Sequence, residues 1–340
     1  MKTTGSESSG GFAAALLSDD TTTAEAVSGA LARVEGLISE QLCSAHALLT
    51  ESATHLARAG GKRFRPIFTV LAGQLGPHPA DPNIAISAAA LELIHLASLY
   101  HDDVMDEAQL RRGVPSANSL WDNKIAILAG DYLFAQASRL GALLGVEALE
   151  IIAHTFAELV TGQTRETAGA APGTDAITHY HRVIHEKTAV LIATAGRFGA
   201  MFSGAEAGQI ERMGRLGDAV GIAFQIADDI LDIASTAEQF GKRPGTDLRE
   251  GVHTLPVLYA LRESGPDADR LRELLAHPLD TDADLAEAIA LLVRSPGMKS
   301  AKDDLRHYVD RALDELDGLP NLPANRALRR LIHHTVERAS

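Results

Sequence analysis

The chain has 340 residues, 46 % of them hydrophobic and 4 % aromatic, and a formal net charge of −14. The length admits a sizeable core in one or two domains, the acidic balance excludes a nucleic-acid partner that needs a basic stripe, and the few aromatics disfavour a β-sandwich or barrel. A lone cysteine, Cys43, cannot close an internal disulfide and fits a reducing, cytoplasmic setting.

Ala and Leu dominate the apolar residues, and Gly, Pro and β-branched residues rarely interrupt the long segments, so the pattern reads as all-α. Residues 1–22 read as a disordered tail with no basic-then-apolar leader, and 23–340 as one folded domain. A helix is expected from about Thr23. It breaks at "ARAGGKRFRP", where Pro66 suits the first turn of the next helix. "GQLGPHPADPN" is a loop, followed by a helix over Ile84 to Asp106. Its apolar run to Tyr100 contains Glu92 and His95, so it reads as a buried helix and not a membrane span. "RRGVPSANS" is a turn. Helices follow over Ile125 to Leu144, Val146 to Glu166, Ile177 to Phe202 and Ala205 to Ile233. The polar stretch "STAEQFGKRPGTDLREGVHT" is a loop long enough to suggest function. Leu255 to Glu263, Asp267 to Leu275, Ala283 to Val293 and Met298 to Leu316 continue the helical pattern, with a short helix at the end.

One feature recurs: "YHDDVMD" at 100–106 and "IADDILD" at 226–232. Residues four apart share a helix face, so Asp102 stands beside Asp106 and Asp228 beside Asp232. Like charges at that spacing destabilise a helix unless a cation lies between them. All-oxygen donors suit Mg²⁺, which binds through one or two carboxylates plus phosphate oxygens. A single copy reads equally well as a solvated acidic face; two copies in apolar helices do not. "GGKRFRP" sets Lys62, Arg63 and Arg65 beside two glycines, and Arg111 and Arg112 form a second cationic pair. The first is not a Walker A loop, but flexible glycine beside Lys and Arg suits a diphosphate. Carboxylates and, separately, cations point to two phosphate sites, one bridged by metal and one held by basic side chains.

With those residues in view, the chain from about residue 25 onward resembles a trans-type polyprenyl (isoprenyl) diphosphate synthase. "GGKRFRP" is similar to the family's isopentenyl diphosphate loop, and "LIHLASLYHDDVMDEAQLRRG" to its first aspartate-rich motif with the arginine pair. "GDYLFAQA", "GQTRE" and "HEKTAVL" match intermediate blocks, and "FQIADDILD" with "GKRPGTDL" matches the second aspartate-rich motif and its loop. The resemblance implies a single-domain isoprenoid synthase helical bundle around a deep central cavity. It implies that Asp102, Asp106 and Asp228 bind Mg²⁺, with Mn²⁺ an acceptable substitute, and that Asp103, Asp229 and Asp232 complete or orient that shell. Arg111, Lys187 and Lys242 would contact the allylic diphosphate. Lys62, Arg63, Arg65, His95 and Arg112 would hold isopentenyl diphosphate. Gln163, Thr188 and Gln225 fall near the reacting carbons and the diphosphate, and Glu166 would orient a metal-bound water. One departure stands out: Val252 occupies a place where many family members carry a lysine.

The implied reaction condenses isopentenyl diphosphate with an allylic prenyl diphosphate and releases diphosphate. By resemblance, the fifth and fourth residues before the first aspartate floor the tunnel for the growing chain. Here they are Ala97 and Ser98, which predicts an open floor and a product beyond C20, to be passed to membrane enzymes. The alternatives are a short-chain C15 or C20 synthase, or a non-catalytic subunit that binds prenyl diphosphates. The family also implies a homodimer.

Overall fold

The computed structural model describes residues 15–17, 19–234, 244–277, 279 and 281–337. The all-α expectation holds. Its helices are α1 (Thr21–Gln41), α2 (Ala47–Arg58), α3 (Phe64–Gly73) and α4 (Pro82–Met105), then α5 (Ala117–Leu120), α6 (Asn123–Leu143), α7 (Val146–Ala168), α8 (Ala176–Ile184), α9 (Val190–Phe202) and α10 (Ala207–Ala234). They continue as α11 (Thr246–Arg249), α12 (Leu255–Ala260), α13 (Pro266–Leu274), α14 (Asp282–Arg294), α15 (Pro296–Asp317) and α16 (Pro323–Glu337). Ordered packing begins earlier than the tail expectation allowed. Asp20 caps α1 by accepting from the Thr23 N–H at 2.8 Å, and Leu16 and Leu17 are already buried ahead of it.

Contacts divide the chain into two compact units. The first comprises residues 1–157, 191–214 and 316–328; the second 158–190, 215–315 and 329–340.

In the first unit α4 is the central helix. It packs most extensively on α6, then on α3 and α1. Small residues make that approach possible: Ala85, Ala88, Ala89, Ala90 and Ala97 on α4, and Ala126, Ala129 and Ala137 on α6, are all buried. Asp81 caps α4 through the Asn83 N–H at 2.8 Å, and Pro82 starts it. The helix has 24 residues, and an 18-residue window within it has a mean hydropathy of 1.4, enough in length and composition to cross a membrane, but 72 % of that window is buried within the protein. It is a core helix, as the sequence indicates. Tyr100 fastens it to α2: its buried hydroxyl donates to the Ser52 carbonyl and accepts from the Leu56 N–H at 3.2 Å.

The turn after α4 is a hairpin the sequence does not reveal. β1 (Leu110–Arg111) pairs antiparallel with β2 (Val114–Pro115), and it is the one strand pair among the described residues. Its two central residues, Arg112 at φ 54° and Gly113 at φ 77°, both lie in the left-handed region that tight hairpins require.

In the second unit α8 packs on α12, and α13 and α14 pack together. The helix expected over Ile177 to Phe202 is interrupted by one π turn at His185–Ala189. Two glycines explain its position. A Cβ on Gly162 of α7 would lie 2.7 Å from the Lys187 nitrogen, and a Cβ on Gly221 of α10 would lie 2.5 Å from the Ala189 Cα. The widened turn is therefore gripped by neighbouring backbone on two sides, a setting in which π turns often mark function.

Candidate active site

The first unit brings together both kinds of group that the sequence singles out. α4 ends at Met105 with Asp106 as its C-cap, and the Asp106 N–H still bonds the Asp102 carbonyl at 2.8 Å. Helical geometry therefore extends across the motif and keeps the two carboxylates on one face. Asp102 is half-buried and Asp106 exposed. Both sit at the negative end of the α4 macrodipole, where a carboxylate is disfavoured and a cation favoured. Asp103, a quarter-turn away, points inward. It is fully buried, its Oδ1 accepts from Arg111 Nε at 2.6 Å, and its Oδ2 is enclosed with no hydrogen-bond partner. Burial raises its pKa against the pull of Arg111. Asp103 thus anchors Arg111 and is not placed as a ligand beside Asp102.

Next to this end lies a cationic cluster. Arg112, held by the hairpin, donates from Nη1 to the Leu56 carbonyl at 3.0 Å and to the Gly60 carbonyl. Gly61 makes room for it: a Cβ there would meet the Arg112 Cζ at 2.9 Å. This accounts for Gly61, and a left-handed backbone at φ 91° accounts for Gly60. Arg65, in the first turn of α3, has its Nε enclosed and without a partner. Burial, opposed by Glu92 and reinforced by Arg112, brings its pKa down to about 10. Burial, then Arg65, Arg112, Arg63 and Arg111, keep the His95 imidazole well below its usual pKa and therefore neutral. Lys62 is exposed at the rim. A half-buried guanidinium with an enclosed, unsatisfied Nε beside a second guanidinium is an arrangement that an anion completes.

Arg63 departs from expectation. Its side chain is buried against Glu35 and Glu92, which take its donors. Ala97 and Ser98 also separate. At 100° per residue, Ser98 lies about 40° from the Asp102 line and Ala97 about 140° from it. Ala97 is fully buried on the Tyr100 side of α4, whereas Ser98 is half-buried and bonds its own helix at the His95 carbonyl, 2.9 Å away.

In the second unit a hydrogen-bonded chain organises the other motif. The Thr188 hydroxyl donates to Gln225 Oε1 at 3.1 Å, Gln225 Nε2 donates to Asp229 Oδ1 at 2.9 Å, and the Tyr180 hydroxyl donates to Asp229 Oδ2 at 2.5 Å. Both Asp229 oxygens are thereby engaged, and burial raises its pKa to about 8. Asp232 accepts from the Asp247 N–H at 3.1 Å and the Thr246 N–H at 3.3 Å, at the start of α11. Asp229 and Asp232, expected beside the metal, thus hold protein groups, and Asp228 is the half-buried member of the motif. Lys187, on the π turn, pairs with Glu166, and Gln163 has its buried Oε1 without a partner. Lys242 lies outside the described residues.

Tyr180, Glu35 and Glu92 escape a reading of spacing alone. Glu92 did carry a signal, since a carboxylate inside an apolar helix requires a partner. Tyr180 lies eight residues before Thr188, with no such mark.

Among the described residues no three His, Cys, Asp or Glu side chains converge as a closed metal cage. A pair of carboxylates on one helix face is a partial, all-oxygen shell. It fits a hard divalent cation that takes its other ligands from water and phosphate.

The comparisons with known proteins agree with this chemistry. A polyprenyl synthetase family model matches residues 46–292. The nonaprenyl diphosphate synthase of Mycobacterium tuberculosis is 58 % identical over 319 residues, covering 94 % of this chain and 95 % of that protein. The crystal structure of geranylgeranyl pyrophosphate synthase from Corynebacterium glutamicum complexed with calcium and isoprenyl diphosphate is 48 % identical with a TM-score of 0.85, covering 94 % of this chain and 98 % of that one. A decaprenyl diphosphate synthase from Rhodobacter capsulatus is 36 % identical with the same TM-score, covering 94 % and 99 %. With its all-helical isoprenoid-synthase fold, the chain belongs to the polyprenyl synthetase family of prenyltransferases.

Proposed function

We propose that the protein is a Mg²⁺-dependent synthase that adds isopentenyl diphosphate to an allylic prenyl diphosphate and carries the product past C20. The observation that supports it best is the half-buried Arg65, with an unpartnered Nε, beside Arg112 and a neutral His95, on the same helix as the Asp102–Asp106 pair. In this reading Lys62, Arg65 and Arg112 bind the isopentenyl diphosphate by charge. His95, being neutral, directs a hydrogen bond without adding charge. Asp102, Asp106 and Asp228 are the metal ligands, and bound Mg²⁺ would supply positive charge to the departing diphosphate. Arg111, oriented by Asp103, and Lys187, exchanging Glu166 for substrate, stabilise the same developing charge. The allylic C–O bond breaks with its electron pair leaving on oxygen. The isopentenyl double bond then attacks the allylic cation, and loss of a proton restores a double bond. The departed diphosphate, left beside the new cation, is the base that takes this proton.

Product length rests on Ser98, the small residue nearest the Asp102 line one turn below it. At 100° per residue His95, Ser98 and Leu99 lie within about 60° of that line, and Leu91 follows about 16 Å down the axis. A product of more than twenty apolar carbons partitions into bilayers, so its consumers would be membrane enzymes. The exposed apolar residues Leu120, Ile127 and Leu128 support a homodimer. The test is turnover of purified protein with Mg²⁺, isopentenyl diphosphate and geranyl or farnesyl diphosphate, with products sized by chromatography. Products longer than C20 are expected. Only C15 or C20 products overturn the length assignment, and no turnover overturns the activity.

A further inference from the structure

Arg63 stands between two residues assigned to the isopentenyl diphosphate, yet its side chain is directed elsewhere. Its backbone is left-handed, φ 50° and ψ 39°, as the N-cap of α3. Such a conformation is rare for a residue with a side chain and persists where surrounding contacts over-determine it. Those contacts are present. Nε and Nη2 donate to the two oxygens of Glu35 at 2.7 and 3.3 Å, Nη1 donates to Glu92 at 3.1 Å, and Nη2 also donates to the Ala57 carbonyl at 3.1 Å. Glu35 belongs to α1, Ala57 to α2 and Glu92 to α4, so one guanidinium joins three helices to the turn that leads into α3. The arginine side chain is 6 % exposed and that of Glu92 2 %.

Glu92 has a second effect. It lies one turn before His95, and its charge acts on Arg65 and Arg112 as well as on Arg63. Three guanidiniums therefore share Glu92, while Glu35 serves Arg63 alone, leaving the cluster positive with part of its mutual repulsion balanced. Arg65 and Arg112 repel each other, and the Glu92 charge offsets part of that repulsion.

We propose that Glu35, Arg63 and Glu92 are positioning residues for the isopentenyl diphosphate site: a buried ion triad that fixes the Lys62–Arg65 turn and counterbalances Arg65 and Arg112 before the diphosphate arrives, without touching the substrate. The assignment rests on the proposed function. It separates Arg63 from its neighbours by role, although the sequence places all three cations in one motif.

The test uses Glu35→Gln and Arg63→Lys in the full-length protein. Glu35 is partly exposed, so Glu35→Gln weakens the triad without emptying the core. Arg63→Lys retains the charge but not the planar fork. Calorimetry measures binding of isopentenyl diphosphate, and steady-state kinetics measure both substrates. Each variant is expected to bind isopentenyl diphosphate about tenfold more weakly and to raise its KM to match, the scale of one charge-assisted contact. kcat at saturation and the KM for the allylic substrate are expected to stay within about twofold, since neither substitution touches Asp102, Asp106 or Arg111. Unchanged binding in both variants, or equal losses for both substrates, overturns the triad. A defect in Arg63→Lys with none in Glu35→Gln overturns it too, because Arg63 would then act on the substrate directly. If the unsubstituted protein fails to bind isopentenyl diphosphate, the proposed function itself is overturned; if it binds and the variants match it, only the triad is.

Discussion

Asp103 and Asp229 occupy the same place in two motifs and share a fate. Each follows the half-buried aspartate of its motif, each is buried, and each has a raised pKa caused first by burial. Helix periodicity explains why. Adjacent residues point 100° apart, so if the first aspartate looks outward the second turns towards the core. The spacing shows that a face exists, but not which way it faces. That is set by the packing of α4 and α10, which no local pattern encodes. Tyr180 is the partner that makes the arrangement tolerable for Asp229, because a buried carboxyl oxygen needs a donor. Tyr180→Phe removes the hydroxyl and leaves Oδ2 unmatched. It is expected to lower stability by about 1–3 kcal/mol in urea unfolding, and a loss below about 0.3 kcal/mol would show that water replaces the hydroxyl without cost.

Among the elements, the long helices are legible in the sequence and the short irregular pieces are not. α4, α6 and α10 announce themselves by apolar residues repeating at helical spacing. The hairpin at Leu110–Pro115 has strands too short to show alternation, and its turn puts an arginine where glycine or asparagine is usual. The π turn is invisible for a different reason. It arises where α7 and α10 come close at Gly162 and Gly221, a tertiary cause with no local signature. Those glycines carry a prediction. Gly221→Ala drives a Cβ against Ala189 backbone and is expected to cost about 1–3 kcal/mol, as overpacking does. Gly214→Ala, on the same helix with nothing within 4 Å, is expected to stabilise by about 0.5–1 kcal/mol. Thermal melts of both variants check the pair of signs, and equal effects would remove the close-approach explanation.

For the molecule as a whole, the sequence carried the chemistry further than the architecture. Both aspartate pairs and the cationic residues were identifiable because charge clusters inside apolar helices have few other uses. The inward direction of Arg63 was not, since three cations in four positions look equivalent until partners on other helices appear. Assembly belongs to this scale also. Leu120, Ile127 and Leu128 are each more than 40 % exposed on neighbouring turns around the start of α6. If they form a homodimer face, light scattering on a sizing column gives twice the 36.0 kDa chain mass. Leu128→Glu is then expected to shift that value towards one chain, because an isologous interface meets the introduced charge twice. A single-chain mass for the unsubstituted protein would remove the dimer.

Glu92 also bears on where a nascent chain can go. It sits near the middle of α4, the helix whose apolar length suffices to span a bilayer. A charged residue at the centre of such a segment adds about 3 kcal/mol to its free energy of insertion into lipid. Before α1 and α3 have closed around it, the carboxylate thus biases the segment against lodging in a membrane; once they have closed, the same group meets Arg63 and the bias is no longer needed.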